Sequence, residues 1–384
     1  MEHVLFIQFG NYGEAFKRFR DNGPETYRDQ KLSVDFVAQL ANGRKVTTLS
    51  LASEVFREEL SDGLFAAGLP LQAISQQTVR DLFDEVGPSH VVVRTPQVDF
   101  INECGQRGIP TLTTFADIFE RRKLKQLWSN HRLHNALAKL RAPAICNHSL
   151  NASMSLVSSV GIPASRVIPW DWSRLSVEAA PKDSVQDPSQ PKFFYAGMLS
   201  EEKGVGDCLK ALAILKKSKL EYALTLAGPG NLEHWQEQAR KLGLENQVRF
   251  IGQISHAKVR EEMIAHDFVI VPSRHSYGEG LPNTIYEALA SRSVLQMSDH
   301  PAFQGRLKDG DECLIFPAND PTGLSVCMQE ATSDIMRYRR ISENSKRAHD
   351  NLYVGLQWTE LVDQFLTDPE NKTEWVEGNS LANY

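Results

Sequence analysis

The chain has 384 residues, 41% of them hydrophobic and 23% charged, with a formal net charge of -6. That length accommodates two domains with cores of ordinary size, and the acidic balance argues against bulk nucleic-acid binding, which needs a basic face to displace counterions. Cys104, Cys146, Cys208, Cys313 and Cys327 are scattered without any C-x-x-C, which argues against a disulfide framework or zinc site and fits a reducing cytosol.

The opening MEHVLFIQFG reads as a first strand and not as a signal peptide, since it has no charged leader and no cleavage site. No window approaches the roughly 18 apolar residues of a membrane span. The sequons at Asn147 and Asn151 are read as chance. The stretch 8-QFGNYGEAFKRFRDNGPETYRDQ-30 reads as an unusually long glycine-bearing loop. Loops of such length inside compact domains are often functional, so Gly10, Gly13, Gly23 and Tyr27 are candidates for an acceptor-facing or lid role; a surface excursion is the alternative. Then come a helix over 29–41, strands at KVTTLSLA, HVVVRT and TLTTF, and a helix over 98–108. The segment 120-ERRKLKQLWSNHRLHNALAKLR-141 carries seven Lys or Arg against one Glu, with leucines and Trp128 at helical spacing. A basic amphipathic helix can lie on anionic lipid; the other reading is an apolar stripe in the core beneath a solvated charged face.

Residues 181–192 are rich in Pro, Ser and Asp and read as a linker between a domain over 1–180 and one over 193–355. The strand–helix rhythm restarts at FFYAGML and continues through YALTLAG, VRFIGQI, FVIVPS, SVLQMS and CLIFP, with helices over 204–217, 231–243, 256–265 and 283–291. Strands alternating with helices predict parallel, doubly wound α/β sheets in both halves. Ligands of such sheets bind beyond the carboxyl ends of the strands. The tail after Asp320 reads as helical, with 372–384 loosely ordered.

The most informative stretch is 274-RHSYGEGLPNTIYEALA-290, with Glu279 and Glu287 eight residues apart. Neighbours on a helix face lie three or four apart, so the spacing disfavours a two-carboxylate metal site. A glycine-flexed loop feeding a helix N-terminus suits a phosphate, with Asn283 as the expected N-cap. Glu279 then suits the hydroxyls of a sugar and Glu287 those of a ribose; a solvated loop Glu and an ordinary helix Glu are the alternative.

Glu279-Gly280-Leu281-Pro282-Asn283 through Glu287-Ala288 resembles the E-x7-E signature of retaining GT-B glycosyltransferases of family 4. The preceding Pro272-Ser273, the turn 197-GMLSEEKG-204 and the turns 226-LAGPG-230 and 250-FIGQIS-255 resemble the same family in order and spacing. The likeness covers roughly 190–365. It implies two Rossmann-like domains facing a central cleft, with a crossover helix and tail over 356–384 returning to the first domain. It implies transfer of a sugar from a nucleotide-sugar to an acceptor hydroxyl with retention and without a required metal ion or other cofactor. By the same likeness, Lys203 contacts the donor diphosphate and Glu279 the transferred sugar. Gly280, Leu281, Pro282 and Asn283 lie near sugar and phosphate, Glu287 holds the ribose, and the main chain of Gln253 and Ile254 meets the base. The chain departs from the pattern twice. Met198 follows Gly197 where the family has Arg, so Arg274 is expected to supply a further cation. Ala116-Asp117 stands where the family often has His-Asp, leaving Asp117 to orient acceptor or sugar. Expected partners are a nucleotide-sugar and a carbohydrate or lipid-linked acceptor, but no nucleic acid. The expected setting is cytoplasmic bacterial polysaccharide, lipopolysaccharide or glycoconjugate synthesis, with peripheral membrane contact through 120–141. An epimerase, a phosphorylase or a non-catalytic nucleotide-sugar binder stays open.

Overall fold

A computed structural model describes residues 2–52, 54–121, 123–216, 221–278 and 280–384. Glu279, Arg122 and the end of the helix expected over 204–217 lie outside the described residues. Two compact units emerge: Met1–Glu25, Asp29–Ser173 and Val354–Tyr384 in one, Thr26–Arg28 and Arg174–Tyr353 in the other.

The first unit is built on a nine-stranded sheet. Its strands are β1 (His3–Gln8), β2 (Lys45–Leu51), β3 (Phe56–Ser61), β4 (Leu64–Leu69), β5 (His90–Val93), β6 (Thr111–Phe115), β7 (Ile145–His148) and β8 (Val167–Asp171). A late strand completes it, numbered β15 (Leu356–Gln357) because β9 to β14 belong to the second unit. The order is β15-β8-β7-β6-β5-β1-β2-β4-β3. Strands with apolar residues on both faces are covered on both sides, and β1 shows it. Leu5 and Ile7 join one buried cluster with Phe83, Phe100 and Leu137, while Val4 and Phe6 join another with Trp170, Trp358 and Phe365.

Several expectations for this half need correction. The long loop over 8–30 contains a helix, Tyr12–Arg20, capped by Asn11, whose side chain accepts from the Glu14 amide; Tyr12, Ala15 and Phe19 are buried. The strands β3 and β4 form an antiparallel hairpin on an otherwise parallel sheet, and Asp62-Gly63, with Gly63 at φ +73°, is the hairpin signal that marks it. The tail is also ordered. Helix Trp375–Asn379 buries Trp375 and Val376, and Leu381 is buried beyond it. Trp375 and Val376 are adjacent and Leu381 follows five residues later, which makes no helical period, yet all three find the core.

The second unit has β9 (Lys192–Ala196), β10 (Ala223–Ala227), β11 (Val248–Gly252), β12 (Phe268–Val271), β13 (Val294–Ser298) and β14 (Leu314–Phe316). All pair in parallel, in the order β11-β10-β9-β12-β13-β14. The strand order reverses between β9 and β12, and a switch point of this kind opens a crevice beyond the carboxyl ends of its two strands. The expected linker over 181–192 is not a free connection, because it packs on this unit. Val185 is in the core, Asp267 accepts from the amides of Gln186 and Lys192 at 2.9 Å each, and Ser342 accepts from the Lys182 amide. The partly buried Lys182 ammonium donates to the carbonyls of Met263 and His266 and to Ser293, and its loss of solvent lowers its pKa to about 8. The units divide at Ser173, ahead of the expected boundary.

Candidate functional site

The switch point of the second unit holds a cavity of about 170 Å³. Its walls come from the ends of three strands and the helix that follows a fourth. They are Ala196–Met198 after β9, Ala227–Pro229 after β10, Gln253, Ile254, His256 and Val259 after β11, and Asn283, Thr284 and Glu287 of the helix Asn283–Ala290. Thr26 and Tyr27 line it as well.

The glycine turns allow this convergence. A Cβ on Gly228, at φ +144°, would stand 1.8 Å from the carbonyl oxygen of Gly197, and one on Gly204, at φ +78°, 2.2 Å from that of Pro272. No side chain fits either place. The freed backbones stitch the turns together: the Gly197 amide donates to Ala227 O, Gly228 to Gly252 O and Leu199 to Pro229 O. Thr284 Oγ1 donates to Ala196 O at 3.2 Å, fixing the helix start against the end of β9.

The N-cap of that helix is Pro282, not Asn283 as expected. Asn283 opens the helix, and its Oδ1 is buried without a hydrogen-bond partner. The loop before it is braced against the segment that ends β13. Ser298 Oγ donates to Ser273 O, His300 Nε2 lies 3.0 Å from Tyr277 O, and His275 Nε2 lies 2.8 Å from Asp299 Oδ1. Glu287 is buried and meets His256 Nε2 at 2.9 Å. The periodicity around His256 is unremarkable, so only the fold finds this pair.

Gly197, Gln253, Ile254, Asn283 and Glu287 therefore line one cavity. Lys203, Gly280, Leu281 and Pro282 do not line it. Lys203 Nζ lies 4.6 Å from the ring centroid of Tyr277, in the same loop, a cation–π distance. Glu279 lies outside the described residues. Arg274 departs from expectation. Its Nε and Nη2 contact Asp207 at 2.7 and 2.6 Å, and Nη2 meets Glu201 at 2.7 Å. Hydrogen bonding with Asp207 holds the guanidinium above its ordinary range. A bidentate pair of this kind leaves little charge for a phosphate.

The first unit presents a second group of polar residues at its carboxyl ends. Asp117 follows β6, and burial raises its pKa to about 6. Asn147 Nδ2 donates to Asp117 O at 2.9 Å. Thr95 Oγ1, after β5, and Ser149 Oγ, after β7, are buried without hydrogen-bond partners, and Ser149 sits at φ 66°, ψ 165°, sparse territory outside glycine. His148 Nε2 lies 3.4 Å from Asp171 Oδ1. Of these only Asp117 was foreseen.

Two of the three glycines proposed for an acceptor or lid role have other duties. A Cβ on Gly13 would meet Glu58 Oε1 at 2.7 Å and Ala66 Cβ at 3.2 Å, so it lets its helix close on the hairpin. A Cβ on Gly23 would stand 2.4 Å from Arg18 Cγ, in the turn that ends the helix. Gly10 follows β1, and its carbonyl accepts from Gln8 Nε2 and Ser50 Oγ at 3.0 Å each. A larger hollow of about 410 Å³ in the first unit includes His3 and Lys45 in its lining. Those residues begin β1 and β2, at the opposite end of the strands from the carboxyl ends that Asp117 follows. Among the described residues, no group of three or more His, Cys, Asp or Glu could hold a metal ion, and no helix is long and apolar enough to cross a membrane.

The helix Leu124–Leu137 places only part of the apolar stripe of 120–141 in the core. Leu133, Ala136 and Leu137 are buried, while Leu124 and Trp128 are 85% and 62% exposed. The Arg132 guanidinium stacks on Trp128 at 4.7 Å.

Residues 176–348 match the family model of the glycosyl transferases group 1. The match encloses every wall of the cavity except Thr26 and Tyr27. Glycogen synthase of Mycobacterium tuberculosis is 25% identical over 217 residues, which cover 56% of this chain and 50% of that protein. Phosphatidyl-myo-inositol mannosyltransferase of Mycolicibacterium smegmatis is 28% identical over 148 residues, covering 38% of this chain and 37% of that protein. The chain thus spans half or less of the length of these curated relatives. Sucrose-phosphate synthase from Thermosynechococcus elongatus superposes with a TM-score of 0.66 at 14% identity, covering 96% of this chain and 98% of its own. HepE of Anabaena, solved in complex with UDP-glucose, does so at 0.66 and 15%, covering 97% and 100%. At such identities the likeness is one of fold, and the fold is GT-B: two Rossmann-like α/β units with parallel sheets.

Proposed function

We propose that the protein is a retaining glycosyltransferase moving a sugar from a nucleotide-sugar donor to an acceptor hydroxyl, without a required metal ion, in bacterial polysaccharide, lipopolysaccharide or glycoconjugate synthesis. The observation that carries this reading is the cavity at the β9/β12 switch point, which gathers the glycine turns, Gln253, Ile254, Asn283 and Glu287 within the stretch matched by the glycosyl transferases group 1. Glu287 accepts the ribose hydroxyls in place of His256. Glu279 holds the transferred sugar. Lys203 and the amides opening the helix Asn283–Ala290 stabilise the charge growing on the departing diphosphate, which a fixed cation and a helix N-terminus do without reorganising. The bond between the anomeric carbon and the phosphate oxygen breaks, the acceptor oxygen bonds on the same face, and its proton passes to the departing phosphate.

The test screens UDP-, GDP-, ADP- and TDP-sugars by thermal shift, since a ligand bound only by the native state raises its melting temperature. The stabilising donor is then followed for slow hydrolysis and for transfer, in EDTA. A UDP-sugar leads the panel because HepE was solved with UDP-glucose. Donors that bind without hydrolysis or product would overturn the enzyme reading, and epimerised donor would point to another reaction on the same fold.

Asp117, with Thr95 and Ser149 near it in the sheet order, orients the acceptor in this reading. Burial favours the neutral acid, so the group is ionised above about pH 6 and protonated below. As pH falls through about 6, kcat/KM for the acceptor should drop. Asp117→Asn should lower the plateau about tenfold or more and flatten that limb; an unchanged profile removes Asp117 from the mechanism. Leu124 and Trp128, beside Lys123, Lys125 and Arg132, would meet an anionic lipid surface. Co-sedimentation with phosphatidylglycerol vesicles should be lost in Trp128→Ala, and equal pelleting of both proteins counts against the contact.

A further inference from the structure

Three residues of the second unit come from a distant part of the chain. Thr26, Tyr27 and Arg28 belong to it, although Glu25 and Asp29 on either side belong to the first. Arg28 is the anchor. It is 0% exposed, its guanidinium carbon lies 4.8 Å from the Tyr286 ring centroid and 5.4 Å from that of Tyr353, and its Nη2 donates to Tyr353 Oη at 3.1 Å. The two rings pack on each other with centroids 5.0 Å apart. Tyr353 Oη is fixed in turn by the Leu175 amide at 3.0 Å and by His349 Nε2 at 3.2 Å.

A buried guanidinium is costly unless its charge is met, so two aromatic faces and a phenol oxygen around it amount to a built socket. The socket's effect falls on the next residue. Tyr27 is 47% exposed, too open to serve the core, yet it lines the same cavity as Gly197, Ile254 and Glu287. Tyr286, one wall of the socket, directly precedes Glu287 on its helix. Socket and cavity wall therefore share a helical turn.

We infer that Tyr27 is an aromatic wall of the nucleoside site and that Arg28 is the positioning residue that holds it there. The inference rests on the nucleotide-sugar reading above and moves Tyr27 from the acceptor side to the donor side. A planar base or a ribose face is what a half-exposed phenol ring in such a place would pack against, and base–aromatic stacking is sequence-tolerant and measurable.

Calorimetric titration of the full chain with UDP, GDP, ADP, TDP and inorganic pyrophosphate tests it. Tyr27→Ala should weaken the nucleoside diphosphate that binds best by about tenfold. Tyr27→Phe should stay within about twofold of wild type, and pyrophosphate binding should not change in either. Arg28→Lys should reproduce the loss, and in a Tyr27→Ala background it should add none, because residues acting through one another are not additive. A purely structural Arg28 would instead add its own loss. Unchanged nucleotide affinity in Tyr27→Ala, or an equal loss for pyrophosphate, overturns the inference and leaves the functional reading standing. A wild-type protein that binds none of the four nucleotides overturns both.

Discussion

Glu279→Ala should abolish glycosyl transfer, with kcat down by at least about a hundredfold, the size of effect seen when one fixed group is removed from a transition state. Nucleotide affinity should be nearly untouched. A residue that acts on the transferred sugar contributes where the glycosidic bond breaks, so its loss appears in kcat more than in donor binding. The melting temperature should also hold. Contacts that brace the loop and the helix start join Ser273 to Ser298, Tyr277 to His300 and Thr284 to Ala196, and the substitution leaves these three pairs of residues in place. Parallel measurement of product formation, UDP-sugar binding and thermal unfolding separates the cases. Near-normal turnover would remove Glu279 from the site, and a collapsed melting temperature would make it a structural residue.

Lys203→Ala should be nearly as severe, through a different quantity. Met198 stands where relatives of the motif have Arg, and Arg274 is engaged by Asp207 and Glu201. Of the three positions considered for the diphosphate, Lys203 is the one that the proposed reading assigns to it, together with the helix N-terminus. Removing it should weaken nucleoside diphosphate binding about tenfold or more and lower kcat/KM about a hundredfold, since the phosphate charge grows as the bond breaks. The cavity offers a way to confirm the reason. Met198 lines it and is 51% exposed, so Met198→Arg in the Lys203→Ala background should recover part of the lost affinity. Full activity of Lys203→Ala would place the diphosphate elsewhere.

Much of the fold was legible because its signals are local. Continuous apolar runs such as FVIV and SVLQM, divided by helix-length segments, imply buried parallel strands, and every strand expected in the second half is present. Strand β7 was missed because ICNH is four residues long and half polar, although its Asn147 and His148 are buried. The hairpin β3–β4 was missed because one of its strands, FREELS, lies at the sheet edge with alternate residues exposed.

The site was legible where spacing carries it, in the glycine turns and in the helix that bears Glu287. It was illegible where partners are distant in sequence. The Arg274–Asp207 pair spans 67 positions, and nothing in either segment announces the other. His256 and the Arg28 socket belong to the same class, since each depends on a register that only the folded chain sets.

The return of the chain to its first unit has a consequence for biosynthesis. Trp358 is 1% exposed among Phe6, Phe36 and Trp172, with Nε1 3.3 Å from Thr114 Oγ1, and β15 extends the sheet beside β8. Truncating a buried Trp costs about 3–5 kcal/mol, a large part of a domain's whole margin of about 5–15 kcal/mol. The ribosome emits roughly 5–20 residues each second, so N-terminal domains ordinarily fold first. Here the first unit waits through the whole of the second, about ten to forty seconds of elongation at that pace, before its last helix arrives. The second unit can mature while the first still exposes apolar surface to chaperones and proteases.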